Sequence, residues 1–443
     1  MRNANKRSVL NVLFCVLAGI LTLFGPVSCG RTGGDAKPVS DRAQTSRTDD
    51  APSYDLYVYR LENGPLSWNQ AGMPYKVNLV SGKTTPVCTD PLCMHDSEEC
   101  PFYECAGSAI DGEILFYRRG MLSRNESGYT GSEKLCACAV AEGKTRVLRD
   151  YADTLVFLGA HRDRLYYYTA EWDREGEALV CTYRLHLADG KSGTIEDLPL
   201  PETYRTVGGF TDSRDYPRIL SFGGDCIWWV KTGEDLTSTI FRSGPKGEDW
   251  TEVKTGLRTL ANAYAGDYGY SLGISVELAD PGDRRGENNG TTTYSLTRTR
   301  LDSGDGAPEK IADNIGSSNF LVTDRYIFTM EGFAPVPDGI RVKADPFSFG
   351  ADYGTELLNG CRVWRMNPDG SEKTLAGELP DVFFAGKQNL CDKVLFDYYE
   401  DGEDVRLAFF FMEKDENGRL TLSEDTLILD TVSGEFTVSE LVR

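Results

Sequence analysis

Histidine is scarce in this chain: His95, His161 and His186 are the only three in 443 residues. Few routes to histidine-based acid–base or nucleophilic chemistry are therefore open. Basic charge is also short, with 47 Lys and Arg against 68 Asp and Glu and a net charge of -21. That balance argues against nucleic-acid binding and against electrostatic docking on anionic lipid. A solvated acidic surface accounts for it more simply. Helical periodicity is nearly absent, which disfavours folds built from βαβ units. No apolar run after Ser28 is long enough to cross a bilayer. The twelve cysteines contain no CxxC pair, so the usual dithiol redox motif is missing.

What is present starts with Arg2, Lys6 and Arg7, followed by the apolar "SVLNVLFCVLAGILTLFGPVS" and then Cys29. A basic start, an apolar stretch and a small residue before the cut describe an export signal. A cysteine at the cut resembles a bacterial lipobox, although Pro26 stands where leucine is usual. Simple secretion and an uncleaved anchor are the alternatives. Residues 30–53, rich in Gly, Ser, Thr, Asp and Arg, read as a flexible tether. The expectation is a signal peptide over 1–29, lipidation at Cys29, and a folded domain over 54–443. That domain would sit on the outer surface of the cell membrane and touch it only through the N-terminal lipid. Disulfides are permitted there.

Two units alternate along the folded region. The first is a short aromatic strand after an Asp or Gly turn, as in "DGEILFYRR" (111), "RDRLYYYTA" (162), "GDCIWWVK" (224) and "CDKVLFDYY" (391). The second is strand, glycine turn, strand, as in "CAVAEGKTRVL", "YRLHLADGKSGTIEDL" and "LILDTVSGEFTVSEL". The turn glycines are Gly82, Gly143, Gly190, Gly247, Gly304, Gly370 and Gly434, roughly 59 residues apart on average, within the range of repeat architectures. Glycine with Asp, Asn or Ser supplies the positive φ of tight hairpins, and the flanking residues suit strands. Seven copies of each unit predict an all-β fold, a β-propeller of seven blades. Six or eight blades are alternatives, because residues 405–425 could form extra strands. Blade 1 has little sequence from which to draw an inner strand, so ring closure stays open.

"SGPKGEDW" (243–250) resembles the Asp-box turn of sialidase-like propellers in Ser243, Gly247 and Trp250, with Pro245 in place of the aspartate. Such boxes are structural turns, so the resemblance supports the blade and implies no chemistry. "GYSLG" matches the nucleophile elbow around Ser271, but every histidine precedes it and no helical face follows. A blade strand is the better reading. The long connections of blades five and six carry Asp280, Asp283, Arg284, Asp345, Phe347, Asp352 and Tyr353. Residues of these types on a rigid scaffold suit contact with a glycan or peptide.

"CTDPLCMHDSEECPFYEC" (88–105) packs four cysteines and a histidine into one loop. Disulfides among Cys88, Cys93, Cys100 and Cys105 are one reading. A tetrahedral site of Cys88, Cys93, His95 and Cys100 for structural zinc is another, and free thiols are a third. In each case Asp90, Asp96, Glu98 and Glu99 face water. Cys136 and Cys138 point to one face of a strand, and Cys181, Cys226 and Cys361 read as buried apolar residues. The pattern of Cys88, Asp90, Pro91, Cys93, His95, Cys100 and Pro101 resembles a segment of β-propeller lipoproteins of anaerobic Gram-positive bacteria, a family of unknown function with a TolB-like blade pattern. The resemblance implies a propeller and leans toward the three-cysteine, one-histidine metal set, while Cys105 leans toward disulfides. It implies no activity.

Together these readings predict a monomeric, non-catalytic surface protein that binds a glycan, peptide or partner protein. A glycan-active hydrolase or lyase using Asp280, Asp283, Asp345 and Asp352 is an alternative, since two carboxyl groups suffice for glycosidic chemistry. An envelope assembly or sensor component is the other.

Overall fold

The structure is a computed structural model that describes residues 57–441 apart from 62–63, 66–71, 104, 121, 126–127, 208–213, 215, 279–289, 303–306, 316–318, 332–361, 380–389, 402 and 415–419. The leader, Cys29 and the tether lie outside the described residues. So do Asp280, Asp283, Arg284, Asp345, Phe347, Asp352, Tyr353, Gly304 and Cys361.

The described residues hold no helix. They form seven sheets of four or five strands, antiparallel apart from one edge pairing in blade 1 and set as blades around one axis, with one further two-stranded hairpin. Blade 2 shows the plan: inner strand Cys105–Ile110, then Ile114–Arg119, Glu133–Ala139 and outer strand Lys144–Tyr151. In blades 2 to 6 the aromatic unit of the sequence is the second strand, for example Arg164–Glu175 and Ile227–Thr232. The strand–turn–strand unit supplies the third and outer strands. The inner strands lie between the two units.

Strand alternation is what joins the blades. In the second strand of blade 3, Leu165 and Tyr167 pack with Phe116 and Leu135 of blade 2. Tyr166 and Tyr168 turn the other way and pack with Ile227 and Trp229 of blade 4. Blade 7 repeats the division: Phe409 and Phe411 join Phe328 and Val363 of blade 6, while Phe410 joins Val58 and Val77 of blade 1. Each blade therefore has two apolar faces, and both are buried only by its neighbours.

Blade 7 departs from the sequence expectation in register. "CDKVLFDYY" falls in its inner strand, Leu390–Asp401, and residues within 405–425 belong to its second and third strands, Asp404–Lys414 and Leu420–Asp430. They complete the seventh blade instead of adding another. Blade 1 has Tyr57–Leu61 where the others have a second strand, with Gly64–Pro65, among the described residues, on its inner side. Closure comes from the outer side, where Glu440–Leu441 pairs in parallel with Lys83 and Thr84. Arg406 of blade 7 also donates to the Leu79 carbonyl at 3.2 Å.

The described turn glycines dock their hairpins on the blade before. Gly82, Gly143, Gly247, Gly370 and Gly434 have positive φ as expected. Gly190 does not, and the left-handed residue of that turn is Gly193 at φ 79°. Gly190 is needed for space: a Cβ there would sit 2.6 Å from Ile114 Cγ2 and 2.9 Å from the Asp163 carbonyl oxygen. Gly190→Ala is expected to lower stability by about 1–3 kcal/mol through overpacking, checked by the urea midpoint; an unchanged midpoint would show that the blade 2–3 contact yields freely.

Glu400 is 7% exposed, and its Oε1 makes no hydrogen bond. Burial raises its pKa from 4.5 to about 7, with Thr323 and Arg325 pulling it down and Asp324 pushing it further up. The folded value exceeds the unfolded one, so this group's contribution is full below about pH 4.5 and is lost as pH rises through about 7. Glu400→Gln is expected to raise the thermal midpoint at pH 8 and to change it little at pH 5. Equal shifts at both pH values in scanning calorimetry would contradict a buried charge.

Candidate metal centre

The cysteine loop leaves the outer strand of blade 1 and re-enters the ring at Cys105, the first residue of blade 2's inner strand. Its two ends are anchored in apolar packing. Val87, Cys100, Phe102 and Cys105 are buried with Tyr59, Leu115 and Tyr117 between blades 1 and 2. The middle is a chain of short turns. Asp90 accepts the Leu92 N–H on its carboxylate and the Cys93 N–H on its carbonyl. His95 takes a left-handed φ of 62°, and the Cys100 N–H returns to the Ser97 carbonyl.

These turns bring Cys88, Cys93, His95 and Cys100 to one point, their ligand atoms all within 4.8 Å of one another. His95 Nδ1 lies 3.4 Å from Cys100 Sγ. Zinc–sulfur bonds of about 2.3 Å place tetrahedral sulfurs roughly 3.8 Å apart, so the spacing suits the ion. Burial raises the Cys88 thiol, opposed by the Asp90 backbone and reinforced by Cys93. Burial pushes Cys100 up to about 12, opposed by the Phe102 N–H, with the neighbouring Cys88 and Cys93 adding to it. Three thiolates so close are unfavourable unless a cation is among them. A divalent ion would supply that charge, and the donor set fits structural zinc. Such an ion would tie the loop's middle to the seam between blades 1 and 2.

The four-residue group excludes Cys105, which is 1% exposed and near Cys136. Cys88, Cys93, Cys100, Cys105, Cys136, Cys138, Cys181 and Cys226 form no disulfide in this structure. Cys136 and Cys138 share one face and one apolar cluster, as their spacing predicts. Cys181 and Cys226 are buried. Asp90, Asp96, Glu98 and Glu99 are exposed, and so are Leu92 and Met94 at the loop's tip.

The remaining motifs resolve into structure. Ser271 lies within the long strand Tyr268–Leu278 opposite Thr297, with no elbow. The Asp-box-like hairpin is a turn in which Ser243 Oγ accepts the Trp229 indole N–H and Trp250 donates to the Pro199 carbonyl. His186 is buried between Thr169 and Asp197. His161 is the one whose setting the sequence reading missed. Its Nδ1 lies 3.0 Å from Asp111 Oδ2, fifty positions away, and the only signal was that Asp111 belongs to a recurring turn.

The fold and this loop define the class: a seven-bladed β-propeller with a Cys3His lip. No protein-family model matches the chain, and no curated protein matches it in sequence. Among solved structures it is similar to the β-propeller domain of the Trilobed protease from Pyrococcus furiosus, at 10% identity and a TM-score of 0.34 over 75% of this chain and 96% of that one. It is also similar to a polysaccharide lyase, at 11% identity and a TM-score of 0.40 over 90% and 94% of the two chains. A third is Pyrococcus horikoshii acylaminoacyl peptidase, at 10% identity and a TM-score of 0.38 over 76% of this chain and 46% of that one. At such identities the likeness concerns the fold, and the activities stay with those proteins.

Residues 30–443 purified without chelator are expected to carry one zinc per chain, by elemental analysis. Cys100→Ser should abolish it, and chelation should lower the wild-type thermal midpoint by a few degrees. A metal-free protein whose intact mass rises on reduction would identify a disulfide staple in its place.

Proposed function

We propose that this chain is an exported, lipid-anchored propeller, acting as a monomer, that binds a glycan, peptide or partner protein through one face without transforming it. The supporting observation is the difference between the two ends of the ring. At one end, inner and second strands join by tight turns, such as Asp111–Glu113 and Arg162–Asp163. At the other, the second and third strands of blades 3, 5 and 7 run 11 or 12 residues, against 6 and 7 in blade 2. Blade 2 adds the hairpin of Leu122–Asn125 and Gly128–Gly131 there, and the cysteine loop opens on the same face. Long projections on a rigid scaffold are where recognition usually sits. Zinc in the Cys3His lip would hold part of that face in one shape, so that less ordering entropy is lost on binding.

Two measurements test the reading. In a Gram-positive host the full chain should fractionate with the membrane, and Cys29→Ser should release it or leave it unacylated by mass. On glycan and peptide arrays, residues 30–443 should bind a defined class, and replacing residues 122–131 by a short turn should weaken binding without shifting the thermal midpoint. Steady conversion of a glycan into products would overturn the non-catalytic reading.

A further inference from the structure

The tight-turn face carries a cavity of about 430 Å³ between blades 3 and 4. That volume falls within the range of small-molecule sites, roughly 300–1,000 Å³. It lies at the far end of the inner strands from the cysteine loop, so it is separate from the face considered above. One wall is the turn between the inner and second strands of blade 3, and the other is the equivalent turn of blade 4.

The blade 3 turn is strained. Arg162 and Asp163 are both left-handed, at φ 51° and 60°, a conformation that two-residue hairpins usually assign to Asn-Gly. Non-glycine residues held there are strained. The neighbouring blade offsets part of this. Asp111 accepts the Arg162 N–H on its carboxylate at 2.9 Å and the Asp163 N–H on its carbonyl at 2.8 Å. Asp163 in turn accepts the Ile114 N–H at 3.0 Å and pairs with Lys191 at 2.8 Å. Asp163 thus has a structural use for its side chain. Arg162 enters the clasp through its backbone alone; among the described residues its exposed guanidinium makes no hydrogen bond or ion pair within 4 Å, and its charge acts at longer range on Asp324 of blade 6. A glycine would fill the position with less strain.

The groups beside Arg162 share a chemistry. Phe222 lies flat on His161, with centroids 4.7 Å apart and planes 7° apart, and Tyr166 leans on Phe222 at 5.4 Å, giving an aromatic wall. Asp111, 3% exposed, engages His161 Nδ1, so Nε2 is the ring's unpartnered nitrogen. Arg164 is exposed and only loosely paired with Asp189 at 3.6 Å. Asp225 is exposed, with no hydrogen bond among the described residues. The inventory is thus the Arg162 guanidinium, the Arg164 guanidinium shared with Asp189, one imidazole nitrogen, the Asp225 carboxylate and an aromatic wall, in a chain of net charge -21.

We propose that this cavity binds an acidic saccharide, a sugar ring bearing a carboxylate. The guanidiniums would take the carboxylate in charge-assisted bonds. The aromatic wall would carry the ring's apolar face, and Asp225 and His161 Nε2 would accept hydroxyl protons. A neutral sugar leaves the arginines unanswered, and a bare inorganic anion leaves the wall unused.

The test uses residues 30–443 and calorimetric titration with a galacturonate trimer, the uncharged galactose trimer of the same linkage, and inorganic phosphate. The acidic trimer is expected to bind at least tenfold more tightly than either comparison. Arg162→Gly should keep or raise the thermal midpoint while weakening the acidic trimer by tenfold or more, a combination that a purely structural role for the side chain does not produce. Asp225→Asn should weaken both trimers. Equal binding of the two trimers, unchanged affinity in Arg162→Gly, or no binding of the acidic trimer would each overturn the proposal.

Discussion

The constraint on which the molecule depends is that no blade can hide its own apolar faces. The second strand of blade 3 presents aromatic side chains to both sides, toward Phe116 and toward Trp229. A blade alone would leave both sets in water, a loss of about 25 cal/mol for every Å² exposed. Stability is therefore held in the seams, and a ring is the arrangement that leaves no seam open. The seam between blades 7 and 1 is built like the others: Phe410, Val58 and Val77 fill it, Gly82 touches Thr437, and Arg406 reaches Leu79. The parallel pairing at Glu440–Leu441 adds backbone hydrogen bonds to a contact that packing already makes.

Polar groups serve the same seams. Asp111 holds the blade 3 turn, Asp163 returns a bond to Ile114 of blade 2, and Asp267 accepts the Trp228 indole N–H of blade 4. Arg118 and Glu133 form a largely buried pair in blade 2, and both bond to Leu155 of blade 3. Burying that pair is costly, and burial raises the Glu133 pKa despite Arg118. What offsets the cost is that the donor and acceptor of one backbone residue in the next blade are both satisfied.

Much of this was legible in the sequence, and the limits have physical reasons. Second strands and hairpins were visible because buried aromatics and turn glycines recur at a steady interval. Several inner strands were not, because Cys105–Ile110 is built mostly of small residues and Ala263–Ala265 and Phe320–Val322 span three residues each, so they carry little signal of their own. Blade 7 was misregistered because its inner strand is itself aromatic. The Cys88, Cys93, His95 and Cys100 set could be named because all four lie in one loop. His161 and Asp111 meet only because neighbouring blades place their turns side by side, which no local spacing records. Gly190 matched the repeat, but its purpose is room for Ile114, not a backbone angle.

Gly143 sits against Thr89, Gly247 against Pro199, Gly370 against Ile311 and Gly434 against Ala376. Among the described residues these hairpins overlap their predecessors in the same sense, like shingles laid in one direction. A structure joined this way is tolerant of changes in copy number: a duplicated module would meet the same shelf its parent met and offer the same shelf onward. Gene duplication could therefore widen or narrow such a ring without inventing new contacts, and the number of modules is the property of this architecture that evolution can most readily change.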